Sequence, residues 1–217
     1  SQNTPRNITI GEPNMLFAAK HSKDRNFKLR EDEITSCILG PLSYMPVNDV
    51  WNLFRAWLPF KDGLWPNEIP TNVEFAFWPN LTNEGRIEPD LMVRFYRNGE
   101  PMQYMLFEIK WDSPISGKDE LVKQWEALSD KEKRITFHVY LVKHTGVGHR
   151  ELKQSLSDFP MKLWRERLVC IGFLDVCRIF SISRQSEIFI QVVFLCYQWR
   201  SPKSKYLTSC RRRPTFP

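Results

Sequence analysis

Two apolar runs on either side of Asn98-Gly99 constrain the fold of this chain more than any other feature of its sequence. Leu91, Val93 and Phe95 stand at alternate positions between Asp90 and Tyr96, and a second apolar run extends from Met102 to Trp111. Alternation with a period of two is typical of a β-strand, and Asn-Gly favours the tight turn of a hairpin. The sequence therefore predicts two antiparallel strands here, and with them a β-sheet.

Helical and strand patterns on both sides of this hairpin predict an α/β fold. Apolar residues at four-residue steps predict a helix over residues 30–40, and a second helix is predicted over residues 50–58. A strand is predicted at residues 73–77, before the hairpin. A helix at residues 118–128 and a strand at residues 135–142 are predicted after it. This order of elements predicts a mixed sheet between helices.

The pattern after residue 142 is less decisive. The segment 144–149 contains two glycines and is predicted to be a loop. Residues 151–165 favour a helix despite Pro160. The apolar runs at residues 168–173 and 188–197 fit either a strand or a buried helix, because periodicity cannot decide over so short a length.

Length and charge indicate one domain with a basic tail. The chain has 217 residues, which is long enough for one well-buried domain. Its net charge is +6, and residues 198–217 hold six basic residues and no acid, which accounts for the whole excess of 31 basic over 25 acidic residues. We therefore expect a polar lead-in at residues 1–28, a folded domain at 29–197 with its core at 30–145, and a basic tail at 198–217.

Cysteine and histidine usage argues against a disulfide framework and a zinc site. The five cysteines include no Cys-x-x-Cys pair, which favours free thiols in a reducing compartment. The four histidines lack metal-ligand spacing, and His138, within a predicted strand, is expected to be structural.

No charged-then-apolar leader is present, and the longest apolar run is too short to span a bilayer. A soluble cytoplasmic protein without a membrane partner is expected.

Charged residues lie on the two predicted hairpin strands. A sheet that is covered by helices on both faces should carry mostly apolar side chains there. Asp90 opens the first strand, and Glu108 and Lys110 lie two residues apart near the end of the second, so that their side chains leave the same face. Two carboxylates and an amine can hold a hard divalent cation beside a negatively charged substrate. A solvated Glu–Lys pair is the alternative interpretation.

Pro89-Asp90 followed by Glu108-Ile109-Lys110 resembles the signature of the PD-(D/E)xK nuclease superfamily. The resemblance spans about residues 30–142 and implies the restriction-endonuclease-like fold, a mixed β-sheet sandwiched by α-helices. It also implies that Asp90, Glu108 and the main-chain carbonyl of Ile109 bind Mg²⁺ or Mn²⁺. Lys110 would help to position or deprotonate the attacking water.

The same resemblance implies a further acid from the first helix. Glu31 is the candidate, because it shares a helix face with the apolar or small residues three, four and seven positions later, whereas Glu33 points elsewhere. The alternative is that these acids only complement the dipole of the helix N-terminus.

Three residues after the signature are candidates for substrate binding. By the same resemblance, Gln124 stands where many members of the superfamily carry a Gln or Tyr oriented at the site, and Glu120 is an alternative position. The competing interpretation is that Gln124 is a surface residue. Trp111 can stack on a base or pack in the core. Lys118 can contact phosphates or lie on a solvated helix face.

The signature therefore predicts a metal-dependent endonuclease that hydrolyses DNA phosphodiester bonds with Mg²⁺ or Mn²⁺. Because the chain outside its tail is formally neutral, its nonspecific affinity for DNA should be low. Targeting is thus expected from a homodimer or a protein partner in a restriction, transposition or phage-defence assembly.

The alternatives to a DNA endonuclease are a catalytically inactive nuclease-fold interaction module and an RNA-cleaving enzyme on the same fold. A small-molecule hydrolase is disfavoured, because no GxSxG or HExxH element is present.

Overall fold

The structure is a computed structural model, and it describes residues 35–36, 39–82, 86–111, 119–173 and 175–176. The predicted lead-in, the basic tail and the apolar run at residues 188–197 lie outside these ranges. So does most of the helix predicted at residues 30–40.

Five strands of the described residues form one sheet, in which each strand lies beside the next one in sequence. The first three strands pair antiparallel, and the last two join the sheet in parallel. Parallel neighbours need a crossover connection, and helices provide it here. The strands are β1 (Asn72–Phe77), β2 (Leu91–Arg97), β3 (Glu100–Lys110), β4 (Thr136–Val142) and β5 (Leu168–Gly172). This mixed sheet with helices confirms the predicted α/β class.

Helices precede and follow these strands largely as predicted. Within the described ranges they are α1 (Val47–Trp57), α2 (Glu120–Glu126), α3 (Asp130–Ile135), α4 (Thr145–Asp158) and α5 (Lys162–Arg167), with 3₁₀ segments at Gly40–Tyr44 and Pro59–Leu64. The short α3 was not predicted, although Ser129 and Glu132 form a capping box at its start. None of the described helices has the length and apolar character that crossing a bilayer requires.

Apolar side chains cover the sheet on both faces. On one face, α1 packs its aromatic residues on the strands, with the ring centroids of Trp51 and Phe95 5.0 Å apart. On the other face, the buried residues of α2, α4 and α5 form a second cluster with alternate residues of β2, β3 and β4. Because successive strand residues point to opposite faces, Glu108 and Lys110 lie on this second face. The helices thus hold Glu108 and Lys110 away from water.

The hairpin between β2 and β3 places Asp90 beside Glu108. Asn98 and Gly99 have φ angles of 54° and 86°, the left-handed geometry that Asn-Gly favours in a tight hairpin turn. The strands then pair up to Leu91 opposite Phe107. Continuing this register by one residue puts Asp90 opposite Glu108. The predicted hairpin is therefore confirmed, and it determines where the first carboxylate lies.

The prediction of a loop at residues 144–149 is wrong, because α4 begins at Thr145 and includes both glycines. A Cβ at Gly148 would lie 2.7 Å from Sγ of Cys170 and 2.8 Å from Cγ2 of Val142. The glycine thus allows the helix to approach the sheet closely. A glycine used for close packing and a glycine used for a turn are identical in the sequence.

The described residues after β4 include two helices and a strand. The helix predicted over residues 151–165 is two helices, α4 and α5, with Pro160 between them. Proline removes a backbone donor and clashes with the preceding turn, which accounts for the break. The apolar run at residues 168–173 is a strand over Leu168–Gly172.

Alanine substitutions at the two glycines of α4 are expected to have different effects. Gly148→Ala should destabilise the domain by about 1–3 kcal/mol, because its methyl group overlaps Cys170 and Val142. Gly146→Ala meets nothing within 4 Å and should be neutral or stabilise by up to about 1 kcal/mol. Urea denaturation followed by circular dichroism measures both free energies. Equal effects would contradict the close approach of α4 to the sheet.

Candidate active site

Asp90 lies immediately before β2 and is held there by its backbone and its side chain. Its main-chain N–H donates to the carbonyl of Phe107, and its carbonyl accepts from the N–H of Trp78, both at 3.1 Å. Its Oδ2 accepts a hydrogen bond of 2.6 Å from the main-chain N–H of Ile109. These contacts fix the carboxylate at the end of β3, next to Glu108.

Glu108 and Lys110 form a buried ion pair under α2. The residues are 3% and 7% exposed, and Nζ of Lys110 lies 2.6 Å from Oε1 of Glu108. The same Nζ lies 3.5 Å from Oε1 of Glu120, at the start of α2. Removing two charges from water costs several kcal/mol per ion, and their attraction often repays no more than this cost. Stability alone therefore does not account for the pair.

The second carboxylate oxygen of Glu108 contacts Gln124 of α2. Nε2 of Gln124 donates to Oε2 of Glu108 at 2.6 Å, and Gln124 is itself only 3% exposed. Burial raises the pKa of Glu108 to about 7, against the opposing effect of the Lys110 ammonium and the hydrogen bond from Gln124. Near neutral pH this carboxyl can therefore exchange a proton or respond to an added positive charge.

The hydrogen bonds continue behind Gln124 to two buried rings. Nε2 of His138 lies 3.1 Å from Oε1 of Gln124, and Nε1 of Trp164 donates to Nδ1 of His138 at 3.1 Å. Burial lowers the pKa of His138 to about 3, so the imidazole is neutral. We refer to Trp164, His138, Gln124 and Glu108 as the Glu108 network.

Sequence reasoning missed the two aromatic members of this network. His138 stands among apolar residues of β4, and the only available signal was a single polar ring in a strand predicted to be covered on both faces. Trp164 lies in a short helix with no motif around it. Their contact depends on how α5 packs on β4, which local patterns do not determine.

The other candidate residues differ in what the structure shows of them. Glu31 and Lys118 lie outside the described residues, so their roles stay predictions. Trp111 lies on the opposite face from Lys110, packs edge-on against Phe173 with centroids 4.9 Å apart and has Nζ of Lys143 5.4 Å from its ring centroid. Its stacking on a base stays a prediction, as does direct contact between Gln124 and a substrate.

The oxygen atoms at this end of the sheet suit a hard divalent cation. Asp90 and Glu108 supply carboxylates, and Ile109 supplies a main-chain carbonyl. Mg²⁺ commonly binds through one or two carboxylates and keeps several waters. Within the described ranges, no group of three or more His, Cys, Asp and Glu side chains is arranged to hold a metal ion. A cation here would therefore use these two carboxylates, the carbonyl and water.

The structure thus brings together Asp90, Glu108, Lys110 and Gln124 at one end of the sheet. Acids, an ammonium and an amide in this arrangement can hold a cation and neutralise charge on a bound anion. Comparison of the chain with protein-family models, with curated proteins and with solved structures found no match.

Proposed function

We propose that this chain is a metal-dependent endonuclease that hydrolyses phosphodiester bonds of DNA. The observation that carries the proposal is the buried Glu108–Lys110 pair, with Nζ and Oε1 2.6 Å apart, next to Asp90. Phosphodiester hydrolysis needs a positioned water and positive charge where the phosphate becomes more negative. Two carboxylates beside an ammonium fit both needs.

Each residue of the site has a definite part in this proposal. Asp90, Glu108 and the carbonyl of Ile109 would hold Mg²⁺ or Mn²⁺, which would supply Lewis-acid stabilisation of charge on the phosphate. Lys110 positions the attacking water and donates to the phosphate. Glu120 gives the ammonium a second carboxylate at 3.5 Å, so Lys110 keeps an acidic neighbour when its contact with Glu108 loosens.

The fold that we propose is the restriction-endonuclease-like one. Support comes from the position of the signature, with Pro89-Asp90 at the entry to β2 and Glu108-Ile109-Lys110 at the end of β3. The order of α1, three antiparallel strands, α2 and a parallel strand also agrees with the arrangement that the signature implies.

The substrate and partners belong to the same proposal. The sequence is formally neutral outside residues 198–217, so we expect weak binding to DNA at physiological salt. A second copy of the chain or a protein partner would supply targeting, as in a restriction, transposition or phage-defence assembly. We place the protein in a reducing compartment such as the cytoplasm, because its five cysteines include no Cys-x-x-Cys pair.

A catalytically inactive interaction module is the second candidate. It is favoured by the fact that both oxygens of Glu108 already have protein donors, Lys110 and Gln124. A buried ion pair with a purely structural role would have the same contacts. Mn²⁺ titration by calorimetry separates the two candidates, because an interaction module predicts no binding that depends on Asp90.

Asp90→Asn is expected to lower DNA cleavage at least about 100-fold, since it removes a negative ligand from the cation site. The fold should be retained, because the amide oxygen can still accept the hydrogen bond from Ile109. Conversion of supercoiled plasmid in Mg²⁺ or Mn²⁺, with linear DNA, single-stranded DNA and RNA in parallel reactions, measures the rates.

Glu88→Gln is the matched control for this substitution. It also removes one negative charge, two residues away, where Glu88 pairs with Arg86. This variant should cleave at the wild-type rate. Wild-type protein that cleaves no nucleic acid and binds no Mn²⁺ would support the interaction module instead, and a preference for RNA would support the RNA-cleaving alternative.

A further inference from the structure

Only one direction of hydrogen bonding is possible in the Glu108 network, and Trp164 sets it. We propose that Trp164, His138 and Gln124 are positioning residues that hold the Glu108 carboxylate in one orientation. The role of that orientation in binding a cation rests on the proposed function. The hydrogen bonds themselves can be tested without it.

The direction follows from the donors and acceptors of each group. An indole N–H can only donate, so Nδ1 of His138, 3.1 Å from Nε1 of Trp164, must accept. In a neutral imidazole the proton then lies on Nε2, which donates to Oε1 of Gln124. The amide nitrogen of Gln124 is left to face Glu108 and donates to Oε2 at 2.6 Å.

The reverse arrangement is excluded by the same groups. If the Gln124 amide were turned over, its oxygen would face the Glu108 carboxylate and its NH₂ group would face Nε2–H of His138. The amide NH₂ group and Nε2–H would then be two donors facing each other inside the protein, where unsatisfied polar groups are costly. With an ionised Glu108, the other contact would also place two acceptors together. The indole of Trp164 thus determines, through His138, the orientation of the Gln124 amide.

Packing prevents the imidazole from turning out of this arrangement. Trp125 stacks on it with an angle of 8° between the ring planes, and its centroid lies 6.3 Å away. Trp164 lies at the same centroid distance with an angle of 39°. His138 and Trp164 have no exposed surface at all. The ring is therefore fixed by stacking as well as by its two hydrogen bonds.

The consequence for the site is that the two oxygens of Glu108 differ. Oε2 is fixed by Gln124, while Oε1 contacts the ammonium of Lys110. A carboxylate held by one oxygen presents the other in a constant direction. Outer partners that orient a metal ligand in this way typically change metal affinity or activity 10–100-fold when they are removed.

Trp164→Phe and Trp125→Phe form a matched pair that tests the proposal. Both replace a buried tryptophan that contacts His138, and both reduce packing by a similar amount. Only Trp164→Phe removes the hydrogen bond to Nδ1. We expect it to lower Mn²⁺ affinity and the rate of DNA cleavage about 10-fold or more relative to Trp125→Phe.

Nitrogen-15 NMR of the histidine ring gives a readout that a packing defect alone would not change. Wild-type protein and Trp125→Phe should show a neutral ring with the proton on Nε2. In Trp164→Phe, the spectrum should show a mixture of the two neutral tautomers of His138. The side-chain amide of Gln124 should no longer show the resonance of an N–H that is hydrogen-bonded to Glu108. The wild-type spectrum alone tests the direction of the network, so the proposal remains testable if a variant fails to fold.

The outcomes separate this inference from the proposed function. A proton on Nδ1 in the wild type overturns the inference, and so do equal losses of cleavage and Mn²⁺ affinity in the two variants. If wild-type protein neither binds Mn²⁺ nor cleaves DNA, the proposed function fails. In that case, NMR changes confined to Trp164→Phe would still support the positioning of Glu108 by the network.

Discussion

Lys110→Met is expected to destabilise the domain by about 3–5 kcal/mol at alkaline pH and to abolish detectable cleavage. The ammonium lies 2.6 Å from Oε1 of Glu108, so its loss leaves a buried carboxylate without its cation. Methionine keeps much of the volume and the apolar stem of lysine, which limits the effect to the charge. Urea denaturation measures the free energy of unfolding, and plasmid conversion measures cleavage.

The loss of stability in this variant should become smaller as the pH falls. Burial raises the pKa of Glu108 to about 7 even with Lys110 present, and removing the ammonium can only raise this pKa further. Because the pKa of the folded state lies above the ordinary value of 4.5, protonation stabilises the folded state. The variant should therefore gain stability relative to wild type as the pH falls toward about 7, and the difference should stay constant below that, where Glu108 takes up a proton in both folded proteins.

The double variant Glu108→Gln with Lys110→Met separates stability from catalysis. It replaces both charges by neutral groups of similar size, and such replacements of buried ion pairs are often neutral or stabilising. We expect it to regain most of the stability lost in Lys110→Met and to remain inactive. Residual cleavage by the double variant would show that another site cuts the DNA. A Lys110→Met variant as stable as wild type would contradict the buried pair.

Much of the fold is predictable from the sequence because its signals are local. Asn98-Gly99 between alternating runs specifies a hairpin through the backbone geometry that these two residues favour. The charged residues Asp90, Glu108 and Lys110 are informative for a similar reason, since the alternation of strand side chains is fixed. The register of one hairpin then brings the first carboxylate to the second.

The other half of the site depends on packing between distant elements. Glu108, Gln124, His138 and Trp164 lie on β3, α2, β4 and α5, and no periodicity in the sequence relates them. The prediction for Gln124 placed it on the correct helix but with a substrate as its partner. The structure gives it contacts with Glu108 and His138, and its contact with a substrate stays a prediction. Which polar group lies under a helix is decided by the packing of the whole layer.

His138 is expected to make the stability of the domain decrease in acid. Burial lowers its pKa in the folded state from 6.5 to about 3, so the unfolded chain binds a proton that the folded protein does not. The stabilisation is therefore fully present above pH 6.5 and is lost as the pH falls toward 3. One proton corresponds to a slope of about 1.4 kcal/mol per pH unit.

A comparison of wild type with His138→Gln isolates this slope from the titration of other groups. The difference in unfolding free energy should shrink by about 1.4 kcal/mol for each pH unit between about pH 6 and pH 4.5, because only the wild type has the histidine. A difference that stays constant over this range would mean that His138 accepts its proton in the folded state. Nδ1 could not then accept a hydrogen bond from Trp164 over this acidic range, and the Glu108 network would hold only where the ring is neutral.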